Sequence, residues 1–434
     1  MQRTKQVFTV DNITHFKQHL LAWAQKSDTV VWLDSNNSKQ NNSFDFVLAI
    51  DEFTAIKTDY THAFDKLKEY QSYTKDYLFG YISYDVKNDV ENLTSTNFDG
   101  LDFADLYFFQ PQKLFFIRGN EVEFLYLKMI EDEILSDFNE ISTMLFRTES
   151  REHKQQENLI KIKLRIHKDA YYQKVSTLLS HINRGNIYEA NFCQEFYAEN
   201  TVINPLEVYQ HLNEISKPPF ATFLKMEHQY LLSASPERYI RKEGTKIISQ
   251  PIKGTAKRLR NAMDDAKLAS DLEKDPKERA ENVMIVDLVR NDLSKTATKG
   301  SVKVEELCKV YSFKQVHQLI STVVSTVDKD THPVDILRTT FPMGSMTGAP
   351  KISAMKIIEN LEETKRGLYS GTVGYFTPEG NFDFNVIIRS ILYNEEKKYV
   401  SYSVGGAITT KSIPEKEYEE CLLKAKAMRF VLSK

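Results

Sequence analysis

Short strand-like runs recur along the whole chain and constrain its fold more than any other feature. They are rich in aromatic and β-branched residues and lie at 30–33, 44–49, 77–84, 114–117, 188–196, 220–225, 230–234, 239–241, 246–250, 371–376, 382–393 and 399–404. Segments with helical apolar spacing stand between groups of these runs, at 130–145, 168–184, 276–291, 351–361 and 414–432. Strand and helix do not alternate regularly. The pattern therefore predicts a layered α+β protein rather than a repeated βαβ unit.

A polar, highly charged segment at 149–158 is the best candidate for an exposed connection. It predicts an N-terminal region at 1–150 and a larger region at 160–434. The chain has 434 residues, enough for one large domain or two intertwined ones.

The charge balance and the cysteines exclude several classes of protein. Basic and acidic side chains number 57 and 60, so no basic excess is present to neutralise the phosphates of a nucleic acid. No run approaches the roughly 20 apolar residues of a membrane span, and the first residues lack the apolar core of a signal peptide. The three cysteines, Cys193, Cys308 and Cys421, are widely spaced, which indicates neither a disulfide framework nor a zinc site. We expect a protein of the reducing cytoplasm.

Lys253 stands in the segment Pro251-Ile252-Lys253-Gly254-Thr255, directly after a strand-like run. Most lysines beside a glycine are ordinary turn residues. A lysine that is removed from water and held in position can lose its proton and act as a nucleophile. Lys253 is therefore a candidate catalytic residue.

Two predicted helices each carry a pair of glutamates spaced by three residues, Glu278 with Glu281 and Glu417 with Glu420. This spacing places both carboxylates of a pair on one helical face, where a divalent cation would offset their repulsion. Helix capping is the alternative, because Asp275 and Pro276 form a good helix start and acids are favoured in a first turn. Capping explains Glu281 and Glu420 less well, since each lies a further turn into its helix.

A loop of small residues at 341–351 opens a helix, and the backbone N–H groups of such a helix start attract anions. The spacing of a nucleotide-binding P-loop is absent. Arg389 lies in an apolar strand-like run and needs an anionic partner if it is buried. Gly405 and Gly406 follow the next run and could offer N–H groups to the same anion. Together these features suggest a site for a small dicarboxylate.

At this point several motifs resemble those of the chorismate-utilising enzymes, and most closely those of the branch that contains component I of aminodeoxychorismate synthase. They are SPER at 235–238, PIKGT at 251–255, AENVMIVDLVRNDL at 280–293, GSMTGAPK at 344–351, RGLYSGTVGY at 366–375, IIRS at 387–390 and EYEE at 417–420. The resemblance covers almost the whole chain and is strongest from Tyr188 onward. It implies two large, mostly antiparallel sheets packed together with helices outside, in which the N-terminal region and the catalytic region interlace.

The same resemblance implies a role for each candidate residue. Glu281 and Glu420 would hold Mg²⁺, with Glu278 and Glu417 in support. Glu237 would be the general acid that protonates the departing 4-hydroxyl of chorismate, and Ser345 would help to place the ring. The enolpyruvyl carboxylate would be bound by Arg389, Tyr369 and the amides of Gly405 and Gly406.

Lys253 distinguishes branches within this family. Anthranilate synthases have a segment similar to PIAGT, and ammonia attacks C2 of chorismate directly. In the PIKGT type, lysine is thought to occupy C2 while the 4-hydroxyl leaves, after which ammonia enters at C4. Asn282 also fits this branch, because anthranilate synthases more often have histidine there. The implied activity is amination of chorismate to 4-amino-4-deoxychorismate, in the folate and para-aminobenzoate pathway.

Three positions leave questions open. The aminating enzymes usually have glutamine where this chain has Glu189, and isochorismate and salicylate synthases have a water-activating lysine there. A family histidine aligns with Gln318, while His317 is displaced by one residue, so neither receives a catalytic role. Ser35 lies in a segment that resembles the lining of a tryptophan pocket.

None of the cysteines lies in a G-x-C-x-G elbow, so no glutaminase nucleophile is visible in the sequence. We therefore expect a separate glutamine amidotransferase subunit as the partner that supplies ammonia. Two alternatives remain, which are anthranilate synthase component I and a catalytically inactive paralogue that only binds chorismate or tryptophan.

Overall fold

The structure is a computed structural model and describes residues 2–38, 44–144, 160–314 and 316–433. Its strands are β1 (Arg3–Thr9), β2 (Thr29–Asp34), β3 (Phe46–Thr58), β4 (Leu78–Ile82), β5 (Leu106–Arg118), β6 (Glu121–Leu127), β7 (Lys163–Leu164), β8 (Glu189–Ala198), β9 (Phe220–Met226), β10 (Gln229–Ser235), β11 (Arg238–Glu243), β12 (Lys246–Gln250), β13 (Ile252–Lys257), β14 (Lys303–Ser312), β15 (Val316–Thr326), β16 (Gly348–Ala349), β17 (Thr372–Phe376), β18 (Phe382–Val386), β19 (Ser390–Asn394) and β20 (Tyr399–Ile408).

The α-helices are α1 (Ile13–Ala24), α2 (Ala63–Thr74), α3 (Lys87–Val90), α4 (Glu133–Thr143), α5 (Lys168–Asn183), α6 (Pro205–Ser216), α7 (Ala262–Lys274), α8 (Pro276–Ser294), α9 (Pro333–Thr340), α10 (Lys351–Leu361) and α11 (Pro414–Leu432). Three single turns of 3₁₀ helix lie at Tyr84–Val86, Lys128–Ile130 and Gly344–Met346. No helix in these ranges is long and apolar enough to span a membrane.

The pairings between these strands are antiparallel and form one network with two arms that meet at β5. The first arm runs β1-β6-β5-β3-β2-β9-β10-β19-β20-β8, with the short strands β7 and β16 beside β8. The second arm runs β5-β4-β17-β18-β11-β12-β15, and β15 also pairs with β13 and β14. The predicted α+β class with mostly antiparallel strands is confirmed.

Central strands of the first arm such as β2 are covered on both faces, which explains why β2 is almost continuously apolar. In β2, Val31 belongs to the core that also contains Phe79 of β4 and Phe384 of β18, between the two arms. Its neighbours Val30 and Trp32 belong to the second core, with the apolar faces of α1, α5, α6 and α11. Successive side chains of a strand point to opposite faces, so one run of apolar residues serves both cores.

Strands of the N-terminal part pair directly with strands of the later part, because β2 pairs with β9 and β4 pairs with β17. The charged segment at 149–158 lies outside the described residues, and the division at 150–160 stays a prediction.

Several predicted limits coincide with the structure, and two local predictions were wrong. Helices α10 and α11 have the predicted bounds. The run at 382–393 is not one strand, because the chain leaves β18 after Val386 and turns at Arg389, whose φ is 53°, before β19 begins. Gly405 and Gly406 lie inside β20 rather than after it, since their pairing with Cys193 and Phe192 of β8 continues the ladder.

Candidate active site

Lys253 lies on β13, where the pairing with β15 shifts its register between Ile252 and Thr255. The next residue, Gly254, has φ of +90°, and a Cβ there would lie 3.0 Å from Glu278 Oε2 and 3.2 Å from Leu319 Cβ. Only glycine combines this backbone with this close approach of α8. The bulge therefore brings the lysine next to the acidic start of α8.

The Lys253 side chain is 14% exposed, and its Nζ lies 3.3 Å from Oε1 of Glu189, a side chain only 1% exposed. Burial acts to lower the pKa of Lys253, but the carboxylates of Glu189 and Glu281 outweigh it, so the pKa is raised. These carboxylates favour the ammonium form of Lys253, so its burial alone does not lower the pKa.

Glu237 follows the end of β10 and is buried. Its backbone is fixed on both sides, because its N–H donates to Ser235 Oγ (3.3 Å) and its carbonyl accepts from the N–H of Val386 (3.0 Å). Burial raises the pKa of Glu237 to about 7, against the opposing effects of a hydrogen bond from Ser345 and the charge of Lys253. A carboxyl group with this pKa is partly protonated at neutral pH and can donate a proton.

Ser345 reaches Glu237 from the 3₁₀ turn Gly344–Met346, inside the predicted loop of small residues. That loop does open a helix, since α10 begins at Lys351. A small pocket adjoins this corner and includes both Glu237 and Ser345 in its lining.

Four carboxylates from two helices lie near the ammonium group of Lys277. We call them the four-carboxylate group, which consists of Glu278 and Glu281 on α8 and Glu417 and Glu420 on α11. Lys277 interacts electrostatically with all four carboxylates and lies 3.8 Å from Glu281. Burial raises the pKa of Glu281 to about 7 and also raises the pKa values of Glu278 and Glu417. Burial also acts on Glu420, but Lys424 at 2.6 Å outweighs it and lowers its pKa.

Capping accounts for part of this arrangement. The Asp275 side chain accepts from the N–H groups of Lys277 and Glu278, so α8 begins with the cap that the sequence predicted. Capping does not account for Glu281 and Glu420, which lie further along their helices, are only partly covered and repel their glutamate neighbours.

The four-carboxylate group fits a hard cation, although the described residues contain no cluster of three close metal-binding side chains. The raised pKa values show that added positive charge would be favourable there. Mg²⁺ is typically held by one or two carboxylates together with an anionic substrate and water, which does not require a ready-made cage.

The opposite end of the same site carries the positive charge of Arg389, beside Tyr369 and Gly405. Burial lowers the pKa of Arg389, while Tyr369 and Glu420 are the neighbouring groups that act to raise it. The hydroxyl of Tyr369 lies 3.7 Å from Cys193 Sγ, and a Cβ on Gly405 would lie only 2.4 Å from the same sulfur. Gly405 is therefore packed too tightly against β8 to carry a side chain.

Gly405 and Gly406 connect this end to the four-carboxylate group. The carbonyl of Gly405 accepts from Lys424 (2.8 Å) of α11, on the side of β20 that faces away from β8. Because the N–H and C=O of one strand residue point to the same side, the Gly405 amide also faces away from β8. A Cβ on Gly406 would lie 3.4 Å from Glu417 and 3.8 Å from Glu420. The end of the site that contains Arg389 and the four-carboxylate group therefore lie next to each other along β20.

Ser35 lies apart from these residues, in a cleft of about 430 Å³ between the two arms, and its hydroxyl donates to the carbonyl of Asp45 (2.8 Å). Phe44, Tyr375 and Asp383 also line this cleft. Ser35 thus lines a cleft, and the assignment of this cleft as a tryptophan pocket stays a prediction.

His317 and Gln318 are both buried, and neither contacts Lys253 in the described structure. Nε2 of His317 lies 3.0 Å from Asp265 on α7, and Nδ1 lies 2.8 Å from the hydroxyl of Ser312. Gln318 pairs with Thr255 across the β13–β15 ladder. His317 thus ties α7 to the sheet.

Two lysines of the site were not predicted from the sequence, Lys277 and Lys424. Each stands four residues from a glutamate on one helix, Lys277 before Glu281 and Lys424 after Glu420. This spacing was visible and predicts neighbours on a helical surface. Cys193 was also missed, and no pattern in the sequence places it beneath Tyr369.

A model of the chorismate binding enzyme family matches residues 8–430. The chain belongs to this family of chorismate-binding enzymes. The resemblance of its motifs is thereby confirmed, and the chain is an enzyme of this family that uses chorismate.

Two curated relatives in the chorismate-binding family carry different names. A Synechocystis protein named anthranilate synthase component I-like is 34% identical over 350 residues, which are 80% of this chain and 71% of the relative. Aminodeoxychorismate synthase component 1 of Escherichia coli is 39% identical over 253 residues, which are 58% of this chain. The match spans only 55% of the length of the E. coli protein.

The fold is that of anthranilate synthase component I. The crystal structure of this component from Streptococcus pneumoniae superposes with a TM-score of 0.78 at 25% identity, covering 91% of this chain and 94% of the other. The predicted fold of the chorismate-binding family is confirmed.

Proposed function

We propose that this chorismate-binding enzyme aminates chorismate at C4 to give 4-amino-4-deoxychorismate. The observation that carries the proposal is Lys253, a mostly covered lysine in the PIKGT segment whose charge acts on the carboxyl group of Glu237. A lysine at this position is what the sequence resemblance associates with amination at C4. The name of the E. coli relative supports the same activity.

In this proposal each end of chorismate has its own partners. Arg389, Tyr369 and the backbone of Gly405 and Gly406 bind the enolpyruvyl carboxylate, and Ser345 helps to place the ring. Glu281 and Glu420, supported by Glu278 and Glu417, would hold Mg²⁺. Bound Mg²⁺ would neutralise and anchor the ring carboxylate.

The residues then divide the chemistry between them. Nζ of Lys253 attacks C2 while the carboxyl group of Glu237 gives its proton to the departing 4-hydroxyl, which leaves as water. Ammonia attacks C4, and the bond between C2 and the lysine breaks. The low exposure of Lys253 and the burial of Glu237 would limit the access of water to this covalent stage.

We also propose that ammonia comes from a separate glutamine amidotransferase subunit, as the name component 1 of the E. coli relative suggests. All three cysteines of the chain are buried, and none is disulfide-bonded. Their free state agrees with a reducing cytoplasm. Purified chain should use ammonium but not glutamine, and a partner subunit should restore the use of glutamine.

The main alternative is anthranilate synthase component I, which the names of the Synechocystis and S. pneumoniae proteins favour. That enzyme would release pyruvate and a fluorescent aromatic product. A catalytically inactive paralogue is the other alternative, and the combination of Glu237, Lys253, Arg389 and the four-carboxylate group argues against it.

The deciding experiment follows chorismate, Mg²⁺ and ammonium chloride by mass detection in the wild type and in Lys253→Ala. The wild type should form the non-aromatic amino product, and the variant should lose this activity. Equal rates of the same product would disprove covalent catalysis by Lys253. An aromatic product with pyruvate would identify anthranilate synthase, and chorismate binding without turnover would identify the inactive paralogue.

A further inference from the structure

If the proposed function holds, Lys253 must lose a proton before it can act as the nucleophile. An ammonium group has no lone pair with which to attack carbon. The neighbouring carboxylates raise the pKa of Lys253, so its proton is not lost to solvent through burial alone. A carboxylate inside the site can accept it.

Glu189 is the nearest acceptor. Its Oε1 lies 3.3 Å from Lys253 Nζ, and β8 holds its side chain in the interior with 1% exposure. Its other oxygen, Oε2, is buried and accepts no hydrogen bond from any residue that the structure describes. A buried carboxylate with so few donors is poorly compensated for its lost hydration. Transfer of the lysine proton to this carboxylate would leave two neutral groups in place of the ion pair.

The other carboxylates that act on Lys253 are Glu281 of α8 and Glu237 after β10. Glu237 must hold its own proton for the departing hydroxyl. Glu281 belongs to the four-carboxylate group and has Lys277 beside it. Neither of them makes the hydrogen bond to Lys253 that Glu189 makes.

The geometry points to Glu189 as the catalytic base that takes the proton from Lys253 before the attack and returns it when the lysine leaves. Glutamine, the usual residue of the aminating branch at this position, cannot accept a proton. The glutamate thus gives this chain an internal route for the proton.

The protons and bonds balance over one turnover. The Lys253 ammonium passes a proton to Glu189, and the neutral amine forms a bond to C2. Both ring double bonds shift and the C4–oxygen bond breaks, with Glu237 supplying the proton that makes the leaving group water. Ammonia then bonds to C4, both double bonds shift back, and the lysine leaves C2 as a neutral amine. Glu189 returns its proton to the lysine, and the new C4 ammonium gives one to Glu237.

The test combines two measurements on Glu189→Gln, which keeps the shape of the side chain and removes the base. The first is the pH dependence of Lys253 carbamylation by cyanate, located by peptide mass mapping. The second is kcat for the amino product with saturating chorismate, Mg²⁺ and ammonium. Without the carboxylate, burial should neutralise Lys253 at lower pH, so carbamylation should begin at lower pH. Turnover should nevertheless fall about 10²-fold, as for loss of a proton-transfer group.

The combination separates a base from a simple ion-pair partner. If Glu189 only restrains the lysine, its loss should leave kcat unchanged or raise it, because more lysine is neutral; that result overturns the inference. A fall in kcat without any change in carbamylation also overturns it, since Glu189 then does not hold the proton of Lys253.

Glu195→Gln is the matched control. Glu195 is a buried glutamate on the same strand, but it pairs with Arg165 and Tyr399 instead of Lys253. This variant should keep the wild-type carbamylation profile and kcat, and thermal melting of both variants verifies folding. Absence of the C4 amino product in the wild type would refute the proposed function. A normal wild type with an unaffected Glu189→Gln would refute only the role of Glu189.

Discussion

Glu237 is buried whereas the Glu420 side chain is 45% exposed, and their surroundings move their pKa values in opposite directions. Burial raises the pKa of Glu237 to about 7, because its hydrogen bond from Ser345 and the charge of Lys253 offset only part of the lost hydration. Glu420 loses only part of its hydration, and its ion pair with Lys424 outweighs that loss and lowers its pKa. At the scale of single residues, the surrounding groups thus make Glu237 suited to donating a proton and Glu420 suited to binding a cation.

The pKa of Glu237 gives a prediction for the pH dependence of catalysis. Since the proposed step needs the protonated acid, the rate should be highest below about pH 7 as far as Glu237 is concerned, and it should fall as pH rises through that value. Glu237→Gln should lower kcat by roughly 10²- to 10⁴-fold. The measurement is formation of the amino product against pH.

The exposed Glu243, at the end of β11, offers a control for this experiment. Glu243→Gln should keep both the rate and the pH profile of the wild type. A wild-type rate that stays level well above pH 7 would show that Glu237 is not the proton donor.

At the scale of elements, Arg366 joins three segments that support the site. Its guanidinium donates to the carbonyl of Asn191 on β8 (2.7 Å) and to the carbonyl of Met346 next to Ser345 (2.6 Å). It also forms two hydrogen bonds with Glu362, just after α10. All these groups are buried. The turn that carries Ser345 is therefore positioned through one arginine.

Arg366→Ala should lower the free energy of unfolding by about 3–5 kcal/mol, because it leaves the charge of Glu362 buried without its partner. The double variant Arg366→Met with Glu362→Gln should lose less, since no unpaired charge remains and the glutamine still accepts from the N–H of Cys193. The shift of the urea midpoint measures both effects.

Arg338→Ala is the matched control, because Arg338 pairs with Asp65 at the surface. Its loss should cost about 0–1 kcal/mol. If the double variant is less stable than Arg366→Ala, the unpaired charge is not the reason for the loss.

At the scale of the whole molecule, the site draws on β8, the end of β10, β13, α8, the turn between β18 and β19, β20 and α11. Two large cores hold these elements together, one between the arms and one beneath the outer helices. Residues far apart in sequence therefore form one site only when both arms are folded. Ligand binding should consequently stabilise the whole chain.

Chorismate with Mg²⁺ should raise Tm more than the sum of the shifts that each gives alone, because the four-carboxylate group and the substrate carboxylate share the cation in the proposed complex. At a ligand concentration of 100 times Kd, the free energy of unfolding should rise by about 2.7 kcal/mol. Thermal melting in Mg²⁺ and in EDTA measures it. Glu281→Gln with Glu420→Gln should remove the Mg²⁺-dependent part, and an equal chorismate shift in EDTA would contradict the proposed metal site.

Much of the fold could be predicted because its determinants are local. The limits of α10 and α11 follow from apolar spacing and helix-start residues, and the apolar strands follow from composition. The break at Arg389 was missed because a left-handed residue between two apolar strands leaves no mark in the hydrophobic pattern. The place of Gly405 and Gly406 inside β20 was missed because glycines usually indicate the end of a strand.

The sequence by itself determined the candidate groups: a lysine in PIKGT, a glutamate in SPER, two pairs of helical carboxylates and an arginine with two glycines. Chemistry and spacing along one element are properties of the chain, so motifs carry them. Only the tertiary structure decided the state of Lys253, because its pKa depends on Glu189 and Glu281, which lie far away in sequence and arrive through β8 and α8. Charges act through distance in space, and that distance is fixed by packing.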